Sequence, residues 1–421
     1  MNRGQYKIKI VVWEKGERLP VMVNHNGEFH YYGNSYALTN LRTRNRASHT
    51  MENALHSIAI AHQFFDNENI DLECRLVSGN FLTRQELEEL NRFCRLPKSD
   101  IDLLLAPKEQ LREKVVQFSP LRRKVSSGNV REVARQTASL RQIYVRDYLL
   151  WRLEWFPHSK ASGRDSFEWA KDMTRRVLSS FSPVEKRRGA TVRLGLSQES
   201  QHELLRLVSL TAPDNPWESP FCRVRNELLI TVLYYLGIRR GELLAMQVSD
   251  INFAKNKILI ARRPDDPEDP RRYQPLVKTL PRRLPLENFL AERLYEYIHT
   301  YRRKTPYAKS HPYLFVSTAG HPLSLSALSH VCLEIKARSP KLLGDFSAHQ
   351  LRRTWNDRFS QIAKDEGIPP AREQQIRCRI MGWVPNSQMA DVYAQRYIQE
   401  EAQRVFLKIQ EDASKMRRPN D

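Results

Sequence analysis

Cysteine is scarce in this chain of 421 residues: Cys74, Cys94, Cys222, Cys332 and Cys378 are five, odd in number, widely spaced and without a C-x-x-C pair. That pattern argues against a disulfide framework or a zinc knuckle and points to a reduced, cytoplasmic compartment. Long hydrophobic runs are also missing. No apolar stretch approaches the ~18 residues a membrane helix needs. The start, Met-Asn-Arg-Gly-Gln-Tyr, has no apolar core of the secretory kind. Fifteen Gly and 23 Pro show neither a collagen-like period nor linker-like bulk, and there is no internal repeat.

What is present fits a globular chain. Hydrophobic residues are 41% and charged residues 28%, which excludes a wholly disordered polymer. At ~150 residues per domain the length predicts two or three domains. Acidic residues are outnumbered, 48 against 68 Lys and Arg, so the net charge is +20 and the pI is near 9.8. Such an excess points to a polyanionic partner, most simply nucleic acid.

The first 45 residues read as a small β unit. Tyr6 to Trp13 is rich in β-branched and aromatic residues, and Leu19 to Val23 predicts a return strand. Arg42, Arg44 and Arg46 follow on a connector. From Ser48-His49-Thr50, where a hydroxyl can cap a helix, Met51, Ala54, Leu55, Ile58, Ala61 and Phe65 recur at helical spacing. Further helical patterns at 84–94, 130–155 and 166–181 make residues 46–182 a helical domain. A basic, Pro- and Gly-punctuated linker follows at 183–195, with Lys186, Arg187 and Arg188. It reads equally well as a solvated linker or as one laid against phosphates.

Residues 196–421 form the remaining domain. A capped helix starts at Leu196-Ser197, and an apolar helix spans 226–246 with a break at Gly237. Strands are expected at 258–260, 276–278 and 283–286. The acidic segment Pro264–Pro270 (Asp265, Asp266, Glu268, Asp269) sits on a Pro-rich turn without a nearby His. It is expected to be a solvated hairpin insertion, not a metal site.

Five short features in this domain are weak singly. They are Gly237-Ile238-Arg239-Arg240-Gly241-Glu242-Leu243, Lys278-Thr279 on a turn, His349-Gln350-Leu351-Arg352, Met381-Gly382-Trp383, and Tyr393 ten residues after Trp383. Glu242 is suited to orient an arginine. His349 and Arg352, three apart on a helix, share a face and can address one phosphate.

Taken in order, the series resembles the tyrosine recombinase (phage-integrase-type) family over at least residues 197–410. The family pattern is G-x-R-x-x-E-L, a hairpin Lys, H-x-x-R, Gly with His or Trp, and a Tyr nine or ten residues on. Arg353 stands where family members often have His, and Trp383 takes the slot commonly filled by His. The resemblance implies a mainly α fold with a small β-hairpin sheet. A helical core-binding domain and an α+β catalytic domain would form a DNA clamp. It implies a catalytic set of Arg239, Lys278, His349, Arg352 and Trp383 with Tyr393 as nucleophile. Tyr397, one turn on, is the rival.

The chemistry so implied is site-specific cutting and rejoining of double-stranded DNA through a 3′-phosphotyrosyl bond, for integration or excision of a mobile element. Neither ATP, a metal nor another cofactor is needed, because bond energy stays in the covalent intermediate. Arg42, Arg44, Arg46, Lys186, Arg187 and Arg188 are the candidate DNA-binding residues. The apolar stripe after Tyr393 (Ile398, Ala402, Val405, Phe406, Ile409) implies a homo-tetramer on synapsed sites, associated with the nucleoid. Two alternatives remain open at this point: relaxation of DNA by a type IB topoisomerase-like enzyme, and a non-catalytic DNA-binding protein on the same fold.

Overall fold

A computed structural model of the chain describes residues 6–105, 131–155, 164–180, 195–385, 387 and 402–412. The chain divides near residue 189 into two compact units. Among the described residues the secondary structure is mostly helical, with two small antiparallel sheets. No described helix is long and apolar enough to cross a membrane.

In the first unit β1 (Lys7–Val12) and β2 (Arg18–Val23) pair antiparallel, with Ile8 opposite Met22 and Ile10 opposite Pro20. Helix α1 (Tyr31–Tyr36) runs on as a π-helical segment to Arg42, within the first 45 residues that the sequence reads as a small β unit. His30 caps α1, its Nδ1 accepting from the Gly33 amide at 3.1 Å. Then come α2 (Ser48–Asn67), α3 (Leu72–Ser78), α4 (Arg84–Phe93), α5 (Lys98–Leu104), α6 (Arg135–Trp155) and α7 (Arg164–Ser180).

The six stripe residues of α2, Met51 to Phe65, are all buried, so the 3.6-residue period read from sequence is the core face. Ala47 rather than a hydroxyl residue stands at its N-cap, and Ser48 is already inside the helix. The reciprocal cap falls instead on α4, between Thr83 and Glu86. Met22, Tyr36 and Leu41 share one core with α2, α4 and α6, so the strands and the helices of this unit are packed together.

The second unit begins with α8 (Gln198–Val208), capped by Ser197 as its sequence predicts. Helix α9 (Pro220–Leu236) buries Leu228, Leu229, Val232, Leu233 and Leu236 and ends at Gly237 in the left-handed conformation. After α10 (Arg240–Leu244), strands β3 (Ile251–Asn252), β4 (Lys257–Ile260) and β5 (Arg282–Pro285) form an antiparallel sheet in that order. Helices α11 (Asn288–Glu296), α12 (Leu325–Arg338), α13 (Pro340–Leu343), α14 (Ala348–Asp365) and α15 (Pro370–Met381) follow. Residues 402–412 are helical.

Two expectations for this unit need correction. Residues 276–278 are not a strand; they run as loop before β5, with Val277 buried and Lys278 exposed. The acidic loop is not simply solvated, because Asp266 and Asp269 are buried. Asp266 accepts from Gln247 at 3.1 Å and from the Tyr313 hydroxyl at 2.7 Å, while Asp269 pairs with Arg271 at 2.8 Å. Arg271 also donates to the carbonyls of Leu244 and Leu323. The loop is pinned to the body by partners up to 52 residues away, which local composition does not reveal.

A candidate phosphate-binding site in the second unit

The break at Gly237 is the foundation. Its φ of +59° suits glycine, and a Cβ there would lie 2.5 Å from Trp355 Cγ. Trp355 is held in turn by its indole N–H on the Tyr235 carbonyl at 3.0 Å. The Gly237 carbonyl accepts from Arg352 Nη1 at 2.8 Å, so the turn that carries Arg239 receives the guanidinium of α14. Arg352 is fully buried on the helix face it shares with His349, and its guanidinium lies 5.4 Å from the Trp383 ring centroid.

Glu242 is the hub beneath these groups. Its carboxylate accepts from the Arg239 amide at 3.0 Å, from the Thr279 hydroxyl at 2.6 Å and from Arg282 Nη2 at 2.9 Å. Arg239 Nη1 lies 3.5 Å from the same carboxylate. Glu242 does orient an arginine, as expected, but the guanidinium nearest its carboxylate is that of Arg282, at 2.9 Å against 3.5 Å for Arg239. Burial pushes the Glu242 carboxyl pKa up. The Arg282 guanidinium, then Arg352 and the Thr279 hydroxyl, outweigh that and keep it below its ordinary value. Glu242 is therefore ionised, and it neutralises part of a dense positive field.

That field acts on His349. Desolvation first, then Arg353, Arg352, Arg239 and Arg240, push its imidazole down to about 4. At neutral pH the ring is uncharged, so one nitrogen is free of a proton and able to accept one. Arg353, a departure from the family pattern, is the largest charged contributor.

Gly241 and Gly382 allow the surrounding chain to close in. A Cβ at Gly241 would stand 2.6 Å from the Leu276 carbonyl, so its absence lets the Lys278 loop pass against α10. A Cβ at Gly382 would stand 2.8 Å from both Arg282 Nη1 and the Leu280 carbonyl. The Leu280 amide donates to the Gly382 carbonyl at 2.9 Å. The loop beside Lys278 and the turn before Trp383 are thus hydrogen-bonded to each other. Trp383 itself is buried with Cys378 and Met381.

Of the sequence candidates, Arg239, His349, Arg352 and Trp383 come together, and Lys278 is exposed on the loop that Thr279 anchors to Glu242. Tyr393 and its rival Tyr397 lie outside the described residues, as do Lys186, Arg187 and Arg188. Arg42, Arg44 and Arg46 belong to the first unit, Arg44 and Arg46 exposed and Arg42 partly buried at the end of the α1 extension. The residue not singled out from sequence is Arg282. It stood next to Arg283 as an ordinary basic pair, and no local signal marks its distant partners Glu242 and Ile380, 40 and 98 residues away.

Residues 202–398 match the model of the phage integrase family. No curated protein matches the chain. Solved structures similar to it include the XerH site-specific recombinase bound to difH substrate, at 15% identity and TM-score 0.48, covering 89% of this chain and 85% of that one. The Tn1549 transposon integrase with transposon right end DNA matches at 12% identity and TM-score 0.47, covering 88% and 98%. XerA recombinase matches at 14% identity and TM-score 0.35, covering 88% and 97%.

Proposed function

We propose, from the match of residues 202–398 to the phage integrase family, that the chain is a site-specific DNA recombinase. It would break and rejoin double-stranded DNA through a 3′-phosphotyrosyl intermediate at Tyr393, in the integration or excision of a mobile element. The observation that carries this reading is the buried Arg352 donating to Gly237, two residues from Arg239, beside a neutral His349.

The chemistry follows from these groups. Charge collects on the non-bridging oxygens of the scissile phosphate in the transition state, and two planar guanidinium groups match such oxygens bidentately. A free phenol, with a pKa near ~10, is a weak nucleophile and needs an acceptor for its proton. His349 is the acceptor. Its low pKa belongs to the site without DNA; a bound phosphodiester brings a negative charge among the arginines and raises it. Lys278 protonates the departing 5′-oxygen, which leaves poorly as an alkoxide. The Trp383 indole lends a hydrogen bond or closes the site. No step requires ATP or a metal.

Two further parts belong to the same reading. The helical first unit serves as the core-binding domain, with Arg42, Arg44 and Arg46 among its phosphate contacts and Lys186, Arg187 and Arg188 on the linker. Residues 402–412 leave Val405, Phe406, Leu407 and Ile409 more than half exposed, which supports docking of this tail on a neighbouring copy in a tetramer.

Sheared DNA from the source genome, incubated with the full chain in EDTA without nucleotide, provides the test. The expected result is a detergent-resistant protein–DNA adduct whose captured sequences share one site. An adduct that forms only with added Mg²⁺, or binding with no adduct, would contradict it.

A further inference from the structure

Arg282 is 9% exposed and sits at the start of β5, yet its guanidinium serves three separate segments. Nη2 donates to Glu242 at 2.9 Å, next to the Arg239 turn. Nη1 donates to the Thr279 hydroxyl at 3.1 Å, one residue from Lys278. Nε donates to the carbonyl of Ile380, in the last turn of α15, three residues before Trp383. Thr279 closes the circuit by donating to Glu242 at 2.6 Å. Only a planar fork of fixed donors can meet a carboxylate, a hydroxyl and a carbonyl in these directions at once; an ammonium is a point charge on a flexible stem.

The consequence concerns Lys278. It lies on a loop with no strand pairing of its own, exposed between buried Val277 and Thr279. What fixes that loop is Thr279 on Glu242 and Arg282, together with the Leu280 amide on Gly382. We infer that Arg282 is a positioning residue: it holds the Lys278 loop against the Arg239 turn and the Trp383 segment, so that the ammonium meets the departing oxygen.

The inference rests on Lys278 being the general acid. In the step concerned, Tyr393 Oη forms a bond to phosphorus as the P–O5′ bond breaks. The phenol proton passes to neutral His349, and a Lys278 proton passes to O5′. The products are the phosphotyrosyl ester, an imidazolium, a neutral amine and a 5′-hydroxyl.

A substrate that needs no acid separates this role from a merely structural one. Replacing the scissile O5′ by sulfur gives a thiolate leaving group, whose conjugate acid has a pKa near ~8.5 as in cysteine, so it departs unprotonated. Two suicide duplexes of the captured site, one with oxygen and one with bridging sulfur, are cleaved by the full chain and its variants. Lys278→Ala is expected to be slow on oxygen and restored on sulfur.

Arg282→Lys is expected to lose about 10²-fold on oxygen, the scale of a misplaced catalytic group. On sulfur it should return close to the unaltered rate, while Arg239→Lys stays slow on both. Thr279→Val, of similar volume, should show the same pattern at smaller size. It carries the test if Arg282→Lys does not fold, as thermal melting will report. Equal losses on both substrates for the Arg282 and Thr279 variants, with Lys278→Ala restored, would overturn the positioning role. Failure of sulfur to restore Lys278→Ala would instead overturn the assignment of Lys278 as the acid.

Discussion

The guanidinium of Arg352 donates to the carbonyl of Gly237 at 2.8 Å, joining two segments 115 residues apart in sequence. The bond exists because Gly237 ends α9 in the left-handed region and turns its carbonyl toward α14, while the Trp355 ring fills the space a side chain would need. One backbone turn therefore sets the position of both arginines.

Gly237→Ala combines a strained backbone, about 1–3 kcal/mol, with overpacking against Trp355, about 1–3 kcal/mol. We expect a loss of about 3 kcal/mol in denaturant unfolding and a larger fall in DNA cleavage than in DNA binding. An alanine variant of unchanged stability and activity would show that the turn does not set the arginines.

Asp269 and Arg271 form a buried pair that staples the acidic loop to the carbonyls of Leu244 and Leu323. Removing one partner strands the other charge inside the protein, which typically costs about 3–5 kcal/mol. Asp269→Ala should destabilise the chain by that order in urea unfolding, and added divalent cations should not alter the difference. A fully solvated loop would show no loss.

Acid should weaken the first unit. Burial, then Arg152, lowers His30 to about 4, and His62 is pushed the same way by burial, His30 and Arg152. A histidine with a depressed folded pKa takes up its proton preferentially in the unfolded chain. Stability is therefore complete above pH ~6.5 and declines as pH falls toward 4. His30 accounts for at most about 3 kcal/mol of this decline. Its Nδ1 caps α1, so His30→Asn keeps an acceptor at the N-cap while removing the titration. Urea midpoints between pH 7 and 5 should fall less in that variant; identical falls would contradict the assignment.

The helix at 402–412 exposes Val405 and Phe406. Phe406→Asp should leave folding and single-site binding intact and abolish higher-order assembly on DNA, as read by native mass measurement. Unaltered assembly would remove the tail from the interface.

Much of this was legible because it is written locally. The α2 stripe from Met51 to Phe65, the Ser197 cap and the Gly237 break each follow from neighbours a few residues apart. The candidates Arg239, His349, Arg352 and Trp383 were legible through spacing, and the structure brings them together. Arg282 was not. Its importance comes from Glu242, Thr279 and Ile380, which only the tertiary fold assembles. Residues 276–278 misled because a short apolar run predicts an extended chain but not whether a second strand pairs with it. The buried Asp266 and Asp269 misled for a similar reason, since acidic composition says nothing of Tyr313 or Arg271.

The most direct measurement is the identity of the residue that becomes attached to DNA. Adducts trapped on a suicide duplex of the captured site are digested, and the nucleotide-bearing peptide is sequenced by mass spectrometry for the unaltered chain, Tyr393→Phe and Tyr397→Phe. The expected result is modification at Tyr393, loss of the adduct in Tyr393→Phe with DNA binding retained, and an adduct in Tyr397→Phe. An adduct that survives Tyr393→Phe, or one mapped to Tyr397, would contradict it.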